Sequence, residues 1–395
     1  MRVQQLVILG ATGTIGRNTL DVARRHPQRL QIFGLSAHRN VEAMLALCAE
    51  FSPRVAVMAD EAAATALRLR LRDAGLDVEV FGGAAALAEL AAAAEVDQVM
   101  AAIVGAAGLV STLAAVQAGK RVLIANKEPL VMAGRLLMQT AARSGATLIP
   151  IDSEHNAIFQ CLPAGSCCGS APKGVRRVIL TASGGPFLRT PMAALASVTP
   201  AQAVRHPNWV MGPKISVDSA TMMNKGLEII EASVLYDLAP TQIEAVIHPQ
   251  STVHSLVEYI DGSLLAQLGH SDMRIPIAHA LAWPERWASG VEGLDMAQLG
   301  SLQFEAPDEQ RFACLRLARQ ALETQGAAPN VLNAANEVAV EAFLQGRLGY
   351  TGIATVIETT LNAAQRANLQ QTLDLDSILD VDRWARARAQ EVLHA

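Results

Sequence analysis

Two acidic residues, Asp152 and Glu154, follow directly after an apolar run at residues 147–151 that predicts a β-strand. In open α/β sheets, the residues that handle ligands collect beyond the carboxyl ends of the strands. If the backbone stays extended, these carboxylates at i and i+2 point the same way, and paired hard oxygens suit Mg²⁺ or Mn²⁺ better than zinc. The alternative is that Asp152 or Ser153 caps the next helix. Residues 126–129 stand in the analogous place after the preceding strand, which favours a shared cleft.

A second group of polar residues has the spacing i, i+3, i+4, i+7 of one helix face. The group consists of Thr221, Asn224, Lys225 and Glu228. Asn224 and Lys225 are suited to bind a phosphate or hydroxyl groups, and Glu228 could join the two carboxylates in a metal triad. The alternative is an ordinary solvated helix face, although the other solvated helices of this sequence favour Ala, Arg, Gln and Glu.

Two loops support an anion site in the same region. A predicted strand at residues 178–181 runs into Ala-Ser-Gly-Gly-Pro at 182–186, whose glycines can form a nest of N–H groups for an anion. Residues 205–214 contain two prolines, Trp209 and Gly212 with almost no regular period, which is typical of a lid that covers a substrate. Each segment alone could be a plain turn.

The N-terminus carries the sequence Gly-Ala-Thr-Gly-Thr-Ile-Gly at residues 10–16, directly after a predicted strand and before an amphipathic helix. Glycines here allow a tight turn and bring backbone N–H groups close to a pyrophosphate at a helix N-terminus. The second strand then ends in His38, Arg39 and Asn40, with no acid before Glu42. NAD-selective sites place an acid there, whereas Arg39 can pair with a 2′-phosphate, which favours NADPH. The alternative is a solvated surface arginine.

The elements that must position these residues follow a recognisable order. The first 150 residues alternate short β-branched runs with alanine-rich helical stretches, which predicts an α/β fold with a parallel sheet. The predicted strands lie at 6–9, 31–35, 55–58, 78–81, 98–103, 122–125 and 147–151, with helices such as 41–50 and 109–118 between them. Strands at 178–181 and 245–253 follow, then an irregular connector from 285 to 308. Residues 309–395 predict a small domain of about four helices.

The composition excludes several classes of protein. Hydrophobic residues make up 51% and charged residues 17%, which allows large cores and argues against disorder. The net charge of −5 argues against a nucleic-acid partner. The most apolar stretch, residues 99–110, falls short of the roughly 20 apolar residues of a membrane span, and no leader precedes the first strand. We therefore expect no membrane segment.

The chain has five cysteines, an odd number, and no Cys-x-x-Cys motif. They are Cys48, Cys161, Cys167, Cys168 and Cys314. This pattern predicts reduced thiols and a cytoplasmic protein. No histidine stands at zinc-ligand spacing beside the cluster at 161–168, so a plain loop is expected there and a structural zinc is the alternative.

Several long motifs resemble one enzyme family, the 1-deoxy-D-xylulose 5-phosphate reductoisomerases. They are GATGTIG, ANKEPLV, IDSEHNAIFQCL, LTASGGPF, HPNWVMGPKISVDSATMMNKGLE, HPQSTVHSLVEYIDGS and LNAANEVAV. The resemblance covers the whole chain. It implies a Rossmann-like NADPH domain at 1–150 and a catalytic, metal and dimerisation domain at 151–284 with a flap at about 205–214. It further implies a connector at 285–308, a C-terminal helical bundle at 309–395 and a homodimer.

The resemblance also implies roles for individual residues. The metal ligands would be Asp152, Glu154 and Glu228, with Lys127 and His206 as further catalytic residues. The residues lining NADPH would be Gly10, Thr12, Gly13, Thr14, Ile15, Gly16, His38, Arg39, Asn40, Asn126, Glu128, Met211 and Gly212. Those holding a sugar phosphate would be Lys127, Ser153, Glu154, Ser183, His206, Trp209, Ser219, Asn224, Lys225 and Glu228.

The implied reaction has two steps. The carbon skeleton of 1-deoxy-D-xylulose 5-phosphate rearranges with the help of Mg²⁺ or Mn²⁺, most simply by retro-aldol cleavage and recombination, to an aldehyde. NADPH then reduces the aldehyde to 2-C-methyl-D-erythritol 4-phosphate, an isoprenoid precursor. Two other interpretations stay open from the residues alone: another NADP-linked dehydrogenase, which would need a catalytic cysteine, and a dinucleotide-sensing regulator.

Three positions depart from the family pattern. His38 stands where many members have glycine, and the segment 164–173 is longer and richer in cysteine than usual. His270 and Ser271 replace a small residue and a proline before Asp272. None of these positions is a predicted metal ligand.

Overall fold

The computed structural model describes residues 2–209 and 211–394, so Val210 in the predicted flap lies outside the described residues. The strands are β1 (Gln4–Leu9), β2 (Leu30–Ala37), β3 (Val55–Met58), β4 (Glu79–Gly82), β5 (Gln98–Ala101), β6 (Arg121–Ile124), β7 (Thr147–Pro150), β8 (Val175–Ala182), β9 (Ile243–Ile247), β10 (Val253–Tyr259) and β11 (Leu264–Leu268). The seven predicted N-terminal strands are confirmed, with ends shifted by at most two residues.

Helices connect these strands and make up most of the C-terminal part of the chain. They are α1 (Thr14–Arg25), α2 (Val41–Phe51), α3 (Glu61–Asp73), α4 (Gly83–Ala92), α5 (Leu109–Gln117), α6 (Glu128–Ser144), α7 (Ser153–Cys161), α8 (Pro200–Ala203), α9 (Pro213–Ala220), α10 (Met223–Tyr236), α11 (Arg274–Ala282), α12 (Met296–Leu299), α13 (Ala313–Thr324), α14 (Ala328–Leu344), α15 (Gly352–Arg366) and α16 (Leu375–His394). None of the helices in the described part of the chain is long and apolar enough to cross a membrane.

One compact unit contains the residues up to Pro129 together with Leu137–Asn156 and Asp272–Glu292. Its centre is a seven-stranded sheet of order β4-β3-β2-β1-β5-β6-β7, in which every pairing is parallel. Strands buried on both faces read as continuous apolar runs, and β5 is buried at all four positions. The strand order reverses between β1 and β5, so the crevice beyond these two carboxyl ends is the expected place for a ligand.

The second compact unit contains Leu130–Leu136, Ala157–Ser271 and the residues from Gly293 on. Its four-stranded sheet has the order β11-β10-β8-β9, with β8 parallel to β9 and antiparallel to β10. The segment predicted as one strand at 245–253 is in fact two strands, because the chain turns through residues 248–252 between β9 and β10. The prediction of a single strand was wrong because it ran through His-Pro-Gln-Ser-Thr at residues 248–252, a polar segment with a proline that is typical of a turn.

The C-terminal helices form a bundle within the second unit. As predicted, four helices follow residue 309 in the described part of the chain: α13, α14, α15 and α16. Alanines and valines such as Val331, Ala334 and Val381 fill the small space between α14 and its neighbours. The division into four functional segments stays a prediction.

Candidate active site

The glycine loop after β1 has the geometry of a cofactor loop. Gly10 has a φ of +85°, and a Cβ there would lie 2.7 Å from the Ala102 carbonyl oxygen. A Cβ on Gly16 would lie 2.4 Å from the Gly10 carbonyl oxygen. Ser36 in β2 fixes the turn, because its hydroxyl accepts the Gly10 N–H at 3.1 Å and its carbonyl accepts the Ala11 N–H at 2.7 Å. Only glycine fits this turn at positions 10 and 16.

The remaining predicted loop residues lie in the turn and the first turn of α1. They are Thr12, Gly13, Thr14 and Ile15. The first turn of α1 carries no acidic residue and its N-cap, Gly13, makes no side-chain cap, so its N–H groups are open to an anion.

Asp60, which was not predicted from the sequence to belong to the site, forms an ion pair with Arg39, the residue predicted to bind the 2′-phosphate. Arg39 donates from Nε to Asp60 Oδ2 at 2.8 Å, and Asp60 Oδ1 accepts the Ala63 N–H at 2.9 Å as the N-cap of α3. These two donors, the Ala63 amide first, lower the pKa of Asp60. The sequence contained a signal for this contact, because Asp60 follows β3 just as His38 and Arg39 follow the neighbouring strand β2. Asn40 caps α2 by accepting the Ala43 N–H at 3.0 Å.

Asn126 organises a loop beside the switch point. Its side-chain amide donates to the carbonyl of Ile103 and, at 2.9 Å, to that of Gly105. The Asn126 side-chain oxygen accepts the N–H of Glu128 at 3.3 Å, where α6 begins. Asn126 therefore shapes the loop after β5, and its predicted contact with NADPH stays a prediction.

The carboxylates after β7 sit at a helix start. The prediction of an extended backbone through Asp152 and Glu154 was wrong, because α7 begins at Ser153 and the Asn156 N–H already bonds the Asp152 carbonyl at 2.8 Å. Asp152 forms an ion pair with the buried Lys127. The Ser153 hydroxyl donates to Glu154 Oε2 at 2.7 Å. The structure thus brings together the polar residues that follow β6 and β7, as expected for neighbouring parallel strands.

In the second unit, Ser183 and His206 form a hydrogen-bonded pair. Ser183 Oγ lies 2.9 Å from His206 Nε2 and also accepts the Gly185 N–H at 3.1 Å. His206 Nδ1 accepts the N–H groups of Asn208 at 3.2 Å and Trp209 at 3.0 Å. With Nδ1 an acceptor, Nε2 is the protonated nitrogen and donates to Ser183.

The described part of the flap rests on the turn between β9 and β10 and on β10. The Asn208 amide donates to the Pro249 carbonyl at 2.7 Å and to the Ser251 hydroxyl at 2.9 Å. The Trp209 ring lies 6.1 Å from the His254 ring, centroid to centroid. Further along the flap, Met211 comes directly before Gly212, which is the N-cap of α9. Asn208 and Ser251 contact each other here, and neither residue was predicted from the sequence to belong to the site.

The predicted polar helix is two helices. A left-handed residue, Met222 at φ +61°, separates α9 from α10, so Thr221 does not share the helix face of the other three. The Thr221 hydroxyl instead bonds the Val217 carbonyl at 3.1 Å. Within α10, the buried Glu228 accepts hydrogen bonds from Asn224 and Lys225.

Ser219 and Asn224 stand out in this segment. They are the only two residues from 216 to 228 that are not fully buried. Both were predicted to hold a sugar phosphate, and the neighbouring Lys225 and Glu228 are 2% and 0% exposed. Lysine and glutamate are almost never fully buried unless they are paired, and here the two residues pair with each other.

Comparison with known proteins identifies the family. Family models described as 1-deoxy-D-xylulose 5-phosphate reductoisomerase match residues 6–134, and models of its C-terminal domains match 148–236 and 268–388. The reductoisomerase of Ectopseudomonas mendocina (strain ymp) is 60% identical over 99% of this chain and 98% of its own. The chain belongs to the 1-deoxy-D-xylulose 5-phosphate reductoisomerase family.

Solved reductoisomerase structures share the fold. One, a complex with NADPH, fosmidomycin and magnesium, has a TM-score of 0.96 at 50% identity, covering 99% of this chain and 98% of its own. The Zymomonas mobilis enzyme in complex with NADPH has a TM-score of 0.92 at 46% identity, covering 100% of each chain. The predicted family, the α/β fold class and the assignment to an oxidoreductase of this type are confirmed.

Three of the five cysteines of this chain are poorly suited to act as nucleophiles. Cys48 and Cys314 are buried, and burial raises their thiol pKa values to about 11 and about 12. Burial also raises the pKa of Cys168 well above its usual range. Because a thiol must ionise to act as a nucleophile, none of these three is suited to covalent catalysis at neutral pH.

Proposed function

We propose that this protein rearranges and reduces 1-deoxy-D-xylulose 5-phosphate to 2-C-methyl-D-erythritol 4-phosphate, using NADPH and a divalent metal ion. The observation that carries the proposal is the buried Lys225–Glu228 pair beside Ser219 and Asn224, the half-buried residues of that segment. Burying two charges is costly even when they pair, because the loss of hydration can exceed their mutual attraction, so a role in ligand binding accounts for the pair. A relative that is 60% identical to this chain has a name that states the same substrate.

The residues of the first unit fit NADPH. Gly10 and Gly16 allow the tight turn that brings the start of α1 to the end of β1, and no acidic side chain competes with a pyrophosphate there. Arg39 uses one of its five N–H groups on Asp60, which fixes the guanidinium and leaves the others for a 2′-phosphate. Two reductoisomerase structures similar to this chain contain NADPH.

The donor set fits a hard divalent cation. Asp152, Glu154 and Glu228 offer carboxylate oxygens, the ligands that Mg²⁺ and Mn²⁺ prefer. In the protein alone, Lys127 and Lys225 neutralise Asp152 and Glu228. When bound, the cation would act as a Lewis acid toward the ketone and its neighbouring hydroxyl, and the nicotinamide would supply hydride. A similar reductoisomerase structure contains magnesium, and manganese is the second candidate.

The remaining polar residues would bind and orient the sugar phosphate. Ser183, Ser219, Asn224 and Lys225 would hold the phosphate group, with Lys225 supplying the positive charge. His206 presents its protonated Nε2 toward Ser183, so it can donate a hydrogen bond to the same anion. Lys127 and Ser153 would contact the sugar hydroxyls next to the carboxylates. The flap that carries Trp209 would exclude water from the bound substrate.

We also propose a homodimer in the cytoplasm. The outer edge of β11 is unpaired among the described strands, and Leu264 and Leu265 of β11 are exposed. An exposed apolar edge strand is a ready surface for a second copy. The five cysteines are free thiols, which accords with a reducing compartment.

The deciding experiment measures NADPH oxidation with 1-deoxy-D-xylulose 5-phosphate as the substrate. We expect turnover with Mg²⁺ or Mn²⁺, complete loss after a chelator, and recovery on adding either ion back. Binding of NADPH should survive the chelator, since the glycine loop needs no metal. Turnover that is insensitive to chelation would refute metal dependence. Tight NADPH binding without turnover would instead favour a dinucleotide-sensing regulator.

A further inference from the structure

A buried carboxylate on α9 links three parts of the second unit. Asp218 is 1% exposed, and neither the metal nor the phosphate site predicted from the sequence includes it. Its Oδ2 lies 2.9 Å from Lys214 Nζ, one helical turn earlier. Its Oδ1 accepts a hydrogen bond of 2.9 Å from the side-chain amide of Asn336, a fully buried residue of α14. One carboxylate therefore connects the base of the flap, α9 and the C-terminal bundle.

This contact fixes the rotation of α9 about its own axis. Successive residues of an α-helix are about 100° apart, so Asp218 and Ser219 face different directions. Asp218 faces the bundle and is buried, whereas Ser219 is half-buried. Anchoring Asp218 to Asn336 therefore determines where the Ser219 hydroxyl points.

Two further contacts hold the carboxyl end of the same helix. The buried Tyr350 hydroxyl, in the segment between α14 and α15, donates to the Ala220 carbonyl at 2.7 Å. The Tyr350 ring packs edge-on against Phe187, at 5.2 Å between centroids, just beyond the Ser183 loop. A Cβ on Gly185 would lie 2.7 Å from the Ser219 carbonyl oxygen, so that loop and α9 touch closely. The bundle thus contacts both segments that we assign to phosphate binding.

Lys214 extends this link to the flap. It lies in the first turn of α9, two residues after Gly212, and its ammonium group is tied to Asp218. A flap that closes over substrate moves relative to a fixed hinge, and hinge residues lie at the ends of elements. The ion pair between the half-buried Lys214 and the buried Asp218 supplies such a fixed point at the carboxyl end of the flap.

We infer that Asp218 and Asn336 are positioning residues: the Asn336–Asp218–Lys214 chain sets Ser219 and the flap base for the substrate phosphate. The inference rests on the proposed function. It gives the C-terminal bundle a part in substrate binding although the bundle supplies no predicted ligand.

The test compares two identical substitutions in one helix. Asn336→Leu removes the donor to Asp218, whereas Asn330→Leu removes an equally buried amide of α14 that bonds Gln371 and the Ile378 carbonyl, each at 2.8 Å. We expect Asn336→Leu to raise the KM for 1-deoxy-D-xylulose 5-phosphate about tenfold, the factor for one hydrogen bond to a charged group. The KM for NADPH should change less than the KM for substrate, because most residues proposed to line NADPH are in the other unit and only Met211 and Gly212 lie beside Lys214.

Thermal unfolding separates positioning from stability. Both leucine variants should unfold at lower temperature, but only Asn336→Leu should change the KM for substrate and its directly measured dissociation constant. Equal effects of the two variants on substrate binding, or none from Asn336→Leu, would overturn the inference while leaving the proposed function intact. Absence of turnover in the unsubstituted protein would overturn both.

A second variant covers the case in which Asn336→Leu does not fold. Asp218→Asn keeps the shape of the side chain and an acceptor for Asn336 but removes the charge that holds Lys214. We expect it to raise the KM for substrate as well, and combining it with Ser219→Ala should give less than the product of the two single effects, because both act on one contact. Effects that multiply would show that Asp218 does not act through Ser219.

Discussion

Lysine–carboxylate pairs define the site at the scale of residues. Lys127 with Asp152 and Lys225 with Glu228 are charged pairs in which at least one partner is buried. Removing one member of such a pair leaves the other charge uncompensated, at a cost of about 3–5 kcal/mol. A bound cation would take over the carboxylates and free the lysine ammonium groups for substrate oxygens. The pairs therefore keep the site folded before ligands arrive.

Glu228→Gln tests the metal assignment. We expect turnover to fall at least about a hundredfold, because one hard oxygen ligand is lost, with NADPH affinity changed less than about twofold. Measurements of turnover, NADPH binding and Mn²⁺ binding on the same sample check this. The thermal midpoint should also fall, since Lys225 loses its partner. A comparable loss of NADPH affinity would contradict the assignment of Glu228 to the metal.

Arg39→Glu tests the choice of cofactor. A carboxylate in place of the guanidinium would repel a 2′-phosphate, so the dissociation constant should rise at least about tenfold for NADPH and little for NADH. Arg54 is an exposed arginine just before β3 that pairs with Glu79 and Glu95. Arg54→Glu is therefore the matched control and should change the dissociation constant of neither cofactor. Equal weakening of both cofactors would mean that Arg39 does not recognise the 2′-phosphate.

At the scale of elements, two glycines of the same loop have different tasks. A Cβ at Gly16 would lie 2.4 Å from the Gly10 carbonyl oxygen, inside the packing of the β1–α1 turn. A Cβ at Gly13 has its nearest neighbour at 3.3 Å and otherwise meets open space on the side where a pyrophosphate is expected. Gly16 is therefore required by the fold, whereas we propose that Gly13 serves the cofactor.

Substituting each glycine by alanine should separate these tasks. Gly16→Ala should lower both NADPH affinity and the stability of the cofactor-free protein, by about 1–3 kcal/mol from overpacking. Gly13→Ala should lower NADPH affinity alone. Thermal unfolding without NADPH and titration with NADPH give the two quantities. Equal destabilisation by both variants would show that the loop has one structural role at both positions.

The proposed dimer surface belongs to the scale of the whole molecule. The β11 edge leaves backbone N–H and C=O groups of a strand next to exposed leucines, a combination that monomeric proteins usually cover. We expect Leu264→Lys to shift the sedimentation of the protein from dimer toward monomer. Leu69→Lys on α3 is the matched control, since Leu69 is 47% exposed and Leu264 50%. A dimer that survives Leu264→Lys would place the interface elsewhere.

Much of the fold could be predicted because the signals were local. β-Branched runs followed by glycine or alanine-rich helices predicted all seven strands of the parallel sheet, since the central strands are largely buried and therefore mostly apolar. Four C-terminal helices were predicted because few helix breakers interrupt residues 309–395. The misses came from turns inside segments that were predicted to be continuous: the polar bend between β9 and β10 and the left-handed Met222 between α9 and α10.

The sequence by itself determined the family, the fold class and the glycine loop, because these depend on residue type and short spacing. Tertiary structure decided which polar groups pair with each other: Asp60 with Arg39, His206 with Ser183, and Asn336 with Asp218. The last pair is separated by 118 positions in the chain. No local pattern encodes such a contact, because a buried polar group finds its partner only when distant helices pack together.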